Sequence, residues 1–447
     1  MPSYTDPLQL YSSVSQGLAR SSNGFLRRQL NLLEAPANAA GLANITDIDP
    51  NEVDPETLGI SRDGVESIWE ATTALYQSGT QPAVTLCIRK QGKLLMHRAI
   101  GHAALPESGD AESAATAGSR IRLDTPVCIF SASKAVTGAL IHKLVEDGEI
   151  SLSDPVSFYR PEFAERGKGD ITIHQILSHR GGIPGLPAHE PVETLYDDER
   201  VWRLLCEAKP IAVDGGKLAY HAITGGFVLA KVLEKVTGNS IQNYLDTHLR
   251  KPLGMKYFQY GLAEEFRDKG AVNVAAGPST PFPLSLVVKR ALGASFKEAA
   301  RISNGEPWHN AVVPAGNIYS TAEETSRFFQ MLLQGGRWNG QQVLSERSVQ
   351  RLTEEVGTCS IDRTMLIPMR YSAGLMLGAD PVGLFGPFSK QAFGHIGLIN
   401  KFCWADPQRN ISVSLLTTGL SLVSHHLLPL GLILKRINSV CERNDQR

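Results

Sequence analysis

Strand-like runs lie near both ends of this 447-residue chain, and the long interval between them is mostly helix and loop. The stretch 82–101, PAVTLCIRKQGKLLMHRAIG, holds two β-rich runs separated by KQGK, a hairpin pattern with Gly92 in the turn. Two more runs, FGHIGLINKFCWAD (393–406) and ISVSLLTT (411–418), flank the turn PQRN. A parallel sheet would instead alternate strands and helices along the whole chain. The order therefore predicts an α+β fold, an antiparallel sheet assembled from both ends of the chain and flanked by helices, with a mostly helical lobe inserted. On this reading residues 1–60, rich in Asn, Ser, Pro and Asp, are an N-terminal extension that wraps or trails from the main body. Residues 61–130 and 311–447 make the sheet-bearing lobe, residues 131–310 make the helical lobe, and the site lies between the two.

Helical spacing is clearest in SRDGVESIWEATTALYQSG, where Val65, Ile68, Thr72 and Leu75 share a face, and in TGGFVLAKVLEKVTG, closed by Gly238. STAEETSRFFQMLLQGG opens with a capping box, Thr321 with Glu324. The stretch 261–313 is punctuated by Gly and Pro and reads as loops. The most apolar segment, 411–434, is long enough to suggest a membrane span. Gly419, the His425–His426 pair and Pro429 interrupt it, so it reads as strand, turn and then a terminal helix over 422–440.

Composition narrows the class. The chain is 42% hydrophobic and 20% charged with a formal net charge of −1, which offers a nucleic acid no electrostatic footing. Six scattered cysteines show no CxxC and no metal-ligand spacing, so they read as reduced, mostly buried thiols. The N-terminus lacks a basic segment followed by an apolar one, and the expectation is a cytoplasmic protein without a membrane span. Nothing in the sequence indicates an oligomeric state.

The chain contains a single Ser-x-x-Lys, in FSASKAVTGALIHKLVEDGEI, where Val136, Leu140, Ile141 and Leu144 recur at helical spacing. On a helix, residues i and i+3 lie about 60° apart around the axis and roughly 4.5 Å apart along it, so Ser131 and Lys134 meet. A desolvated lysine can take the proton of a serine hydroxyl, and a helix N-terminus offers N–H groups to an oxyanion. The motif alone equally suits a capping serine beside a solvated lysine. LAYHAITGG adds Tyr220, whose phenol could share a proton with Lys134; His395-Ile396-Gly397 lies on a strand whose glycine would let a substrate approach closely. A second His-x-Gly, His179-Arg180-Gly181, is the weaker candidate. Singly, these read more readily as a core tyrosine, a strand histidine and a turn histidine.

Taken in order, FSASK, LSDPVSFYRPEF, ITIHQILSHRGGIPG, YHAITGGFVLAKVLEKVTG, PAGNIYSTAEETSRFFQMLLQGG and FGHIGLINKFCWADP form a pattern across roughly residues 80–420. It resembles the serine β-lactamase and penicillin-binding-protein superfamily, specifically the class C β-lactamase-like esterases of the family VIII carboxylesterase type. The resemblance implies Ser131 as acylated nucleophile, Lys134 as its activating amine and Tyr220 as the first position of the Tyr-x-Asn element. His395, Ile396 and Gly397 would match the Lys-Thr-Gly strand, and the N–H groups of Ser131 and Leu398 would form the oxyanion hole. No metal and no cofactor is implied.

Two departures bear on substrate. Ala222 replaces the Asn of Tyr-x-Asn, and His395 and Ile396 replace the Lys and Thr of Lys-Thr-Gly. Both weaken recognition of a β-lactam's side-chain amide and carboxylate and favour a neutral, small-molecule ester. The resemblance thus implies a serine esterase, with an acyltransferase of the same fold, or a β-lactamase or D-Ala peptidase, as alternatives. A non-catalytic binding protein fits poorly with intact Ser131, Lys134 and Tyr220. No Gly-x-Ser-x-Gly supports an α/β-hydrolase elbow.

Overall fold

Successive residues of a strand face opposite sides of its sheet, and this period of two divides the core. The computed structural model describes residues 25–36, 38–105, 119–187, 189–282 and 284–443. Its N-terminal strands are β1 (Thr46–Ile48), β2 (Ala83–Lys90) and β3 (Lys93–Gly101). A small sheet of order β4–β6–β5 follows, built from β4 (Val127–Cys128), β5 (Gln259–Tyr260) and β6 (Ile318–Ser320). The C-terminal strands are β7 (Met376–Leu377), β8 (Phe393–Gly397), β9 (Lys401–Asp406) and β10 (Ile411–Thr417). The main sheet has the order β1–β3–β2–β10–β9–β8–β7 and is antiparallel at every pairing. Its two halves join where β2 pairs with β10, from Ile411 opposite Lys90 to Thr417 opposite Val84.

Val84, Leu86 and Ile88 of β2 face one core cluster with Phe402, Trp404, Ile411, Val413 and Leu415. The intervening Ala83 and Cys87 face the other, with Cys403, Ala405 and Leu416. Helices cover both faces. Helix α1 (Arg62–Leu75) packs on α5 (Leu427–Val440), and both belong to the first cluster. Between them in sequence come α2 (Ser133–Glu146), α3 (Thr224–Thr237) and α4 (Ala322–Leu333), and α4 lies against β2, β9 and β10 on the opposite face. The capping box of Thr321 and Glu324 is present, and Gly238 ends α3 in the left-handed region. The β2–β3 turn has positive φ at both Gln91 and Gly92, as a tight two-residue hairpin requires.

Several expectations are corrected. The expected loop stretch 261–313 contains helices at Leu284–Leu292, Phe296–Ser303 and Glu306–Asn310. Ser295 and Glu298 cap the second, and Pro307 sits in the first turn of the third, so punctuation marked helix starts rather than loops. The run FGHIGLINKFCWAD is two strands, because the turn 398–400 between β8 and β9 carries apolar Leu398 and Ile399 and hides in the sequence. The terminal helix begins at Leu427 rather than 422. Within the expected N-terminal extension, residues 1–24 lie outside the described residues, whereas β1 pairs with β3 at the sheet edge. Helix α2 is not amphipathic in place: Ser133 to His142 and Leu144 are all buried, because it runs between the sheet and the helical segments. Among the described residues no helix is long and apolar enough to cross a membrane.

Candidate active site

Ser131 lies in a 3₁₀ turn, Phe130–Ala132, that leads into α2, so the helix proper starts at Ser133, two residues later than the spacing suggests. Phe130 has a φ of 45°, a costly conformation for a bulky side chain. The turn is held from both sides: Ile129 N–H donates to the Ile318 carbonyl at 2.9 Å, and Ile318 N–H donates to Ser133 Oγ at 3.0 Å. Ser131 is half-buried, while its neighbours from Ala132 to Leu140 are buried.

Lys134 Nζ lies 3.1 Å from Ser131 Oγ and donates to the Ala315 carbonyl at 2.9 Å. Among the described residues no carboxylate pairs with it, and desolvation holds its pKa well below the ordinary lysine value. In its uncharged form, which this burial favours, the amine has a lone pair for the serine proton. Tyr220 completes the group: its phenol hydrogen-bonds Ser131, and Lys134 Nζ is 4.9 Å from its ring centroid. Burial raises the Tyr220 pKa, with the hydrogen bond to Ser131 opposing and Asp362 adding to the rise. The phenol therefore stays protonated at neutral pH and can donate.

Residues the sequence did not single out hold Tyr220 in place. Its N–H donates to Asp362 Oδ1 at 3.1 Å, the same oxygen that accepts from Thr364 N–H and Met365 N–H. Tyr371 Oη donates to Asp362 Oδ2 at 3.2 Å and its ring stacks on Tyr220 at 6.4 Å. The weaker candidate His179 packs 4.7 Å from both tyrosine rings, and its Nδ1 accepts the His221 N–H at 3.2 Å. It is a buried support of the Tyr220 segment. No local pattern flags Asp362 or Tyr371, which lie more than a hundred residues from Tyr220 in sequence.

Strand β8 forms the opposite wall. Its partner β7 reaches only Phe393 and Gly394, so among the described residues His395 to Gly397 have no partner strand on that side. The His395 ring is 6.2 Å from Tyr220 and 1% exposed. Nδ1 donates to the Ile396 carbonyl at 2.9 Å, leaving Nε2 as an acceptor without a partner among the described residues. Burial, reinforced by Lys134, lowers its pKa to about 3, so the ring carries no charge at neutral pH. Ile396 is half-buried, and Ala222 is 4% exposed within the apolar cluster that includes Tyr220 and Tyr371. Leu398 begins the turn after β8, and neither its N–H nor that of Ser131 has a hydrogen-bond partner among the described residues.

Gly397 has a different reason from the one expected. A Cβ there would lie 2.1 Å from the Ile129 carbonyl oxygen, so the close approach it permits is by the protein's own segment leading into the Ser131 turn, not first by a substrate. Gly397→Ala should therefore destabilise the fold by about 2–3 kcal/mol through overpacking and move Ser131 away from β8. An unchanged denaturant midpoint would show that the two segments are not in tight contact. Among the described residues no group of three or more His, Cys, Asp or Glu side chains converges as a metal site.

The chain thus brings Ser131 with Lys134, Tyr220 and the β8 segment together from three separated stretches. A sequence model of the family described as "Beta-lactamase" matches residues 70–431. The Esterase/beta-lactamase LipL of Mycobacterium tuberculosis is 28% identical over 306 residues, 65% of this chain and 69% of that protein. A penicillin-binding protein homologue from Caulobacter crescentus aligns with a TM-score of 0.70 at 21% identity, covering 88% of this chain and all of that one. A family VIII carboxylesterase aligns at 0.69 and 23% identity, covering 84% of this chain and 97% of that one. The antiparallel sheet and the matched span agree: the chain belongs to the β-lactamase family and carries its fold.

Proposed function

We propose that the protein hydrolyses neutral carboxylic esters through an acyl-enzyme on Ser131. The observation that carries the reading is the buried Lys134 amine 3.1 Å from Ser131 Oγ, with no carboxylate partner among the described residues. In acylation Ser131 Oγ attacks the ester carbonyl carbon while its proton passes to Lys134 Nζ. The carbonyl oxygen, now negative, is received by the N–H groups of Ser131 and Leu398. Tyr220 then supplies its phenolic proton to the departing alkoxide and is reprotonated by Lys134, which returns the amine to its neutral form. Water repeats the sequence on the acyl-enzyme. An alcohol acceptor in place of water would make the same site an acyltransferase.

The choice of esters rests on the wall opposite the nucleophile. An uncharged His395, an alkyl Ile396 and Ala222 offer no cation and no amide to a β-lactam. The esterase/β-lactamase name of the mycobacterial relative supports the hydrolase class and leaves both substrate types in play.

A fluorophosphonate probe should label Ser131 alone, read by mass mapping of the modified peptide. The neighbouring hydroxyls are committed elsewhere: Ser133 Oγ accepts from Ile318 N–H, and Ser178 Oγ donates to the His174 carbonyl at 2.7 Å. Labelling at either of these, with Ser131 unmodified, would overturn the assignment.

A further inference from the structure

Lys401 opens β9 among core residues and is fully buried, at 0% exposure. Among the described residues no carboxylate faces it. The titratable groups against it are the thiols of Cys128, from β4, and Cys403, two residues along its own strand. A lysine ammonium in the protein interior without a counter-ion is costly, and such a group is retained where its charge or its contacts serve a site. Three of its contacts lead toward the Ser131 turn. Lys401 pairs with Gly397 across the β8–β9 ladder, and its Cβ is 3.2 Å from the Cβ position of Gly397, on the face that meets Ile129. Its Nζ lies 3.5 Å from the Leu398 carbonyl oxygen and 4.8 Å from the centroid of the Phe130 ring. Phe130 immediately precedes Ser131, so the one ammonium touches the segments that carry both unpaired N–H groups. The ring face of Phe130 and the Leu398 carbonyl dipole offset part of the desolvation cost.

We propose that Lys401 is a positioning residue of the oxyanion site, holding the Leu398 turn against the Phe130–Ser131 turn with a positive charge behind their N–H groups. This rests on the reading of Ser131 as the acylated nucleophile. Lys401 does not touch the substrate, since no part of it reaches solvent. As the ester carbonyl oxygen gains charge, a cation fixed behind the two donors favours the tetrahedral state over the ground state. Burial lowers the Lys401 pKa to about 8. The protonated form is the active one, so this contribution is present at neutral pH and is lost as pH rises past that value.

The test is the pH dependence of kcat on p-nitrophenyl butyrate for the wild type, Lys401→Met and Lys401→Arg, with thermal unfolding of each. The wild type should show a descending alkaline limb near pH 8. Lys401→Met should lower kcat at neutral pH by about tenfold to hundredfold with KM little changed, and should lack the limb. Lys401→Arg, charged throughout, should push the limb to higher pH. A wild-type profile flat through this region overturns the proposal even if neither variant folds. So does a folded Lys401→Met enzyme with wild-type kcat and an unshifted limb. Fluorophosphonate labelling of the wild type keeps the two readings apart: failure to label Ser131 removes the nucleophile assignment, whereas labelling with a flat profile removes only the role of Lys401.

Discussion

Lys134→Ala should lower kcat on a p-nitrophenyl ester by about two to four orders of magnitude, and so should Tyr220→Phe. Adding the second change to the first should cost little more. The two side chains act on one proton: Lys134 Nζ is within hydrogen-bond distance of Ser131 Oγ, and the Tyr220 phenol bonds the same oxygen. Removing either breaks the path, and a broken path is not broken twice. The acid limb of the profile should belong to Lys134, because its protonated form has no lone pair and activity must rise as pH passes upward through its lowered pKa. Multiplicative losses in the double mutant would place the two groups in separate steps and reject the coupled base. Lys134→Arg should be as inactive as the alanine variant, since a guanidinium does not deprotonate in this range.

The second large effect is in substrate choice. Acetate to hexanoate p-nitrophenyl esters should be cleaved readily and the chromogenic cephalosporin nitrocefin barely. A β-lactam presents a carboxylate and a side-chain amide. Across from Ser131 it would meet a histidine whose pKa is held near 3, an isoleucine and an alanine 4% exposed. An unmade hydrogen bond to a buried polar ligand costs about 1–3 kcal/mol, so two such losses should reduce β-lactam turnover by about two to four orders of magnitude. The neutral ester asks only for nucleophile, base and oxyanion donors. Comparable kcat/KM for the ester and nitrocefin would return the protein to the β-lactamases. Acidifying the assay should not recruit His395 as a cation until the pH approaches about 3.

What could be read without a structure was carried by short-range periodicity. Alternation in VTLCI and ISVSLLTT announces a sheet strand with two faces, and the structure seats those faces in two clusters. Thr321 with Glu324, Gln91 with Gly92 and Ser131 with Lys134 all interact over a few residues, where backbone geometry alone determines who meets whom. For the same reason the order of strands at the two chain ends was enough to exclude a parallel sheet.

Tertiary structure decided the rest. Whether Lys134 is a solvated cation or a neutral base depends on burial of α2 on every side, which its own spacing misrepresents as one apolar stripe. Asp362 and Tyr371 reach Tyr220 across some 140 residues, and nothing near either of them in sequence marks the meeting. Lys401 is unmarked within the run FGHIGLINKFCWAD, and only the placement of β9 against the Phe130–Ala132 turn makes it a fully buried amine. Gly397 reads as a place for a ligand and is first a place for Ile129. The physical reason is common to all four: desolvation and close approach depend on which distant segments the closed sheet brings together, and local spacing holds no record of that.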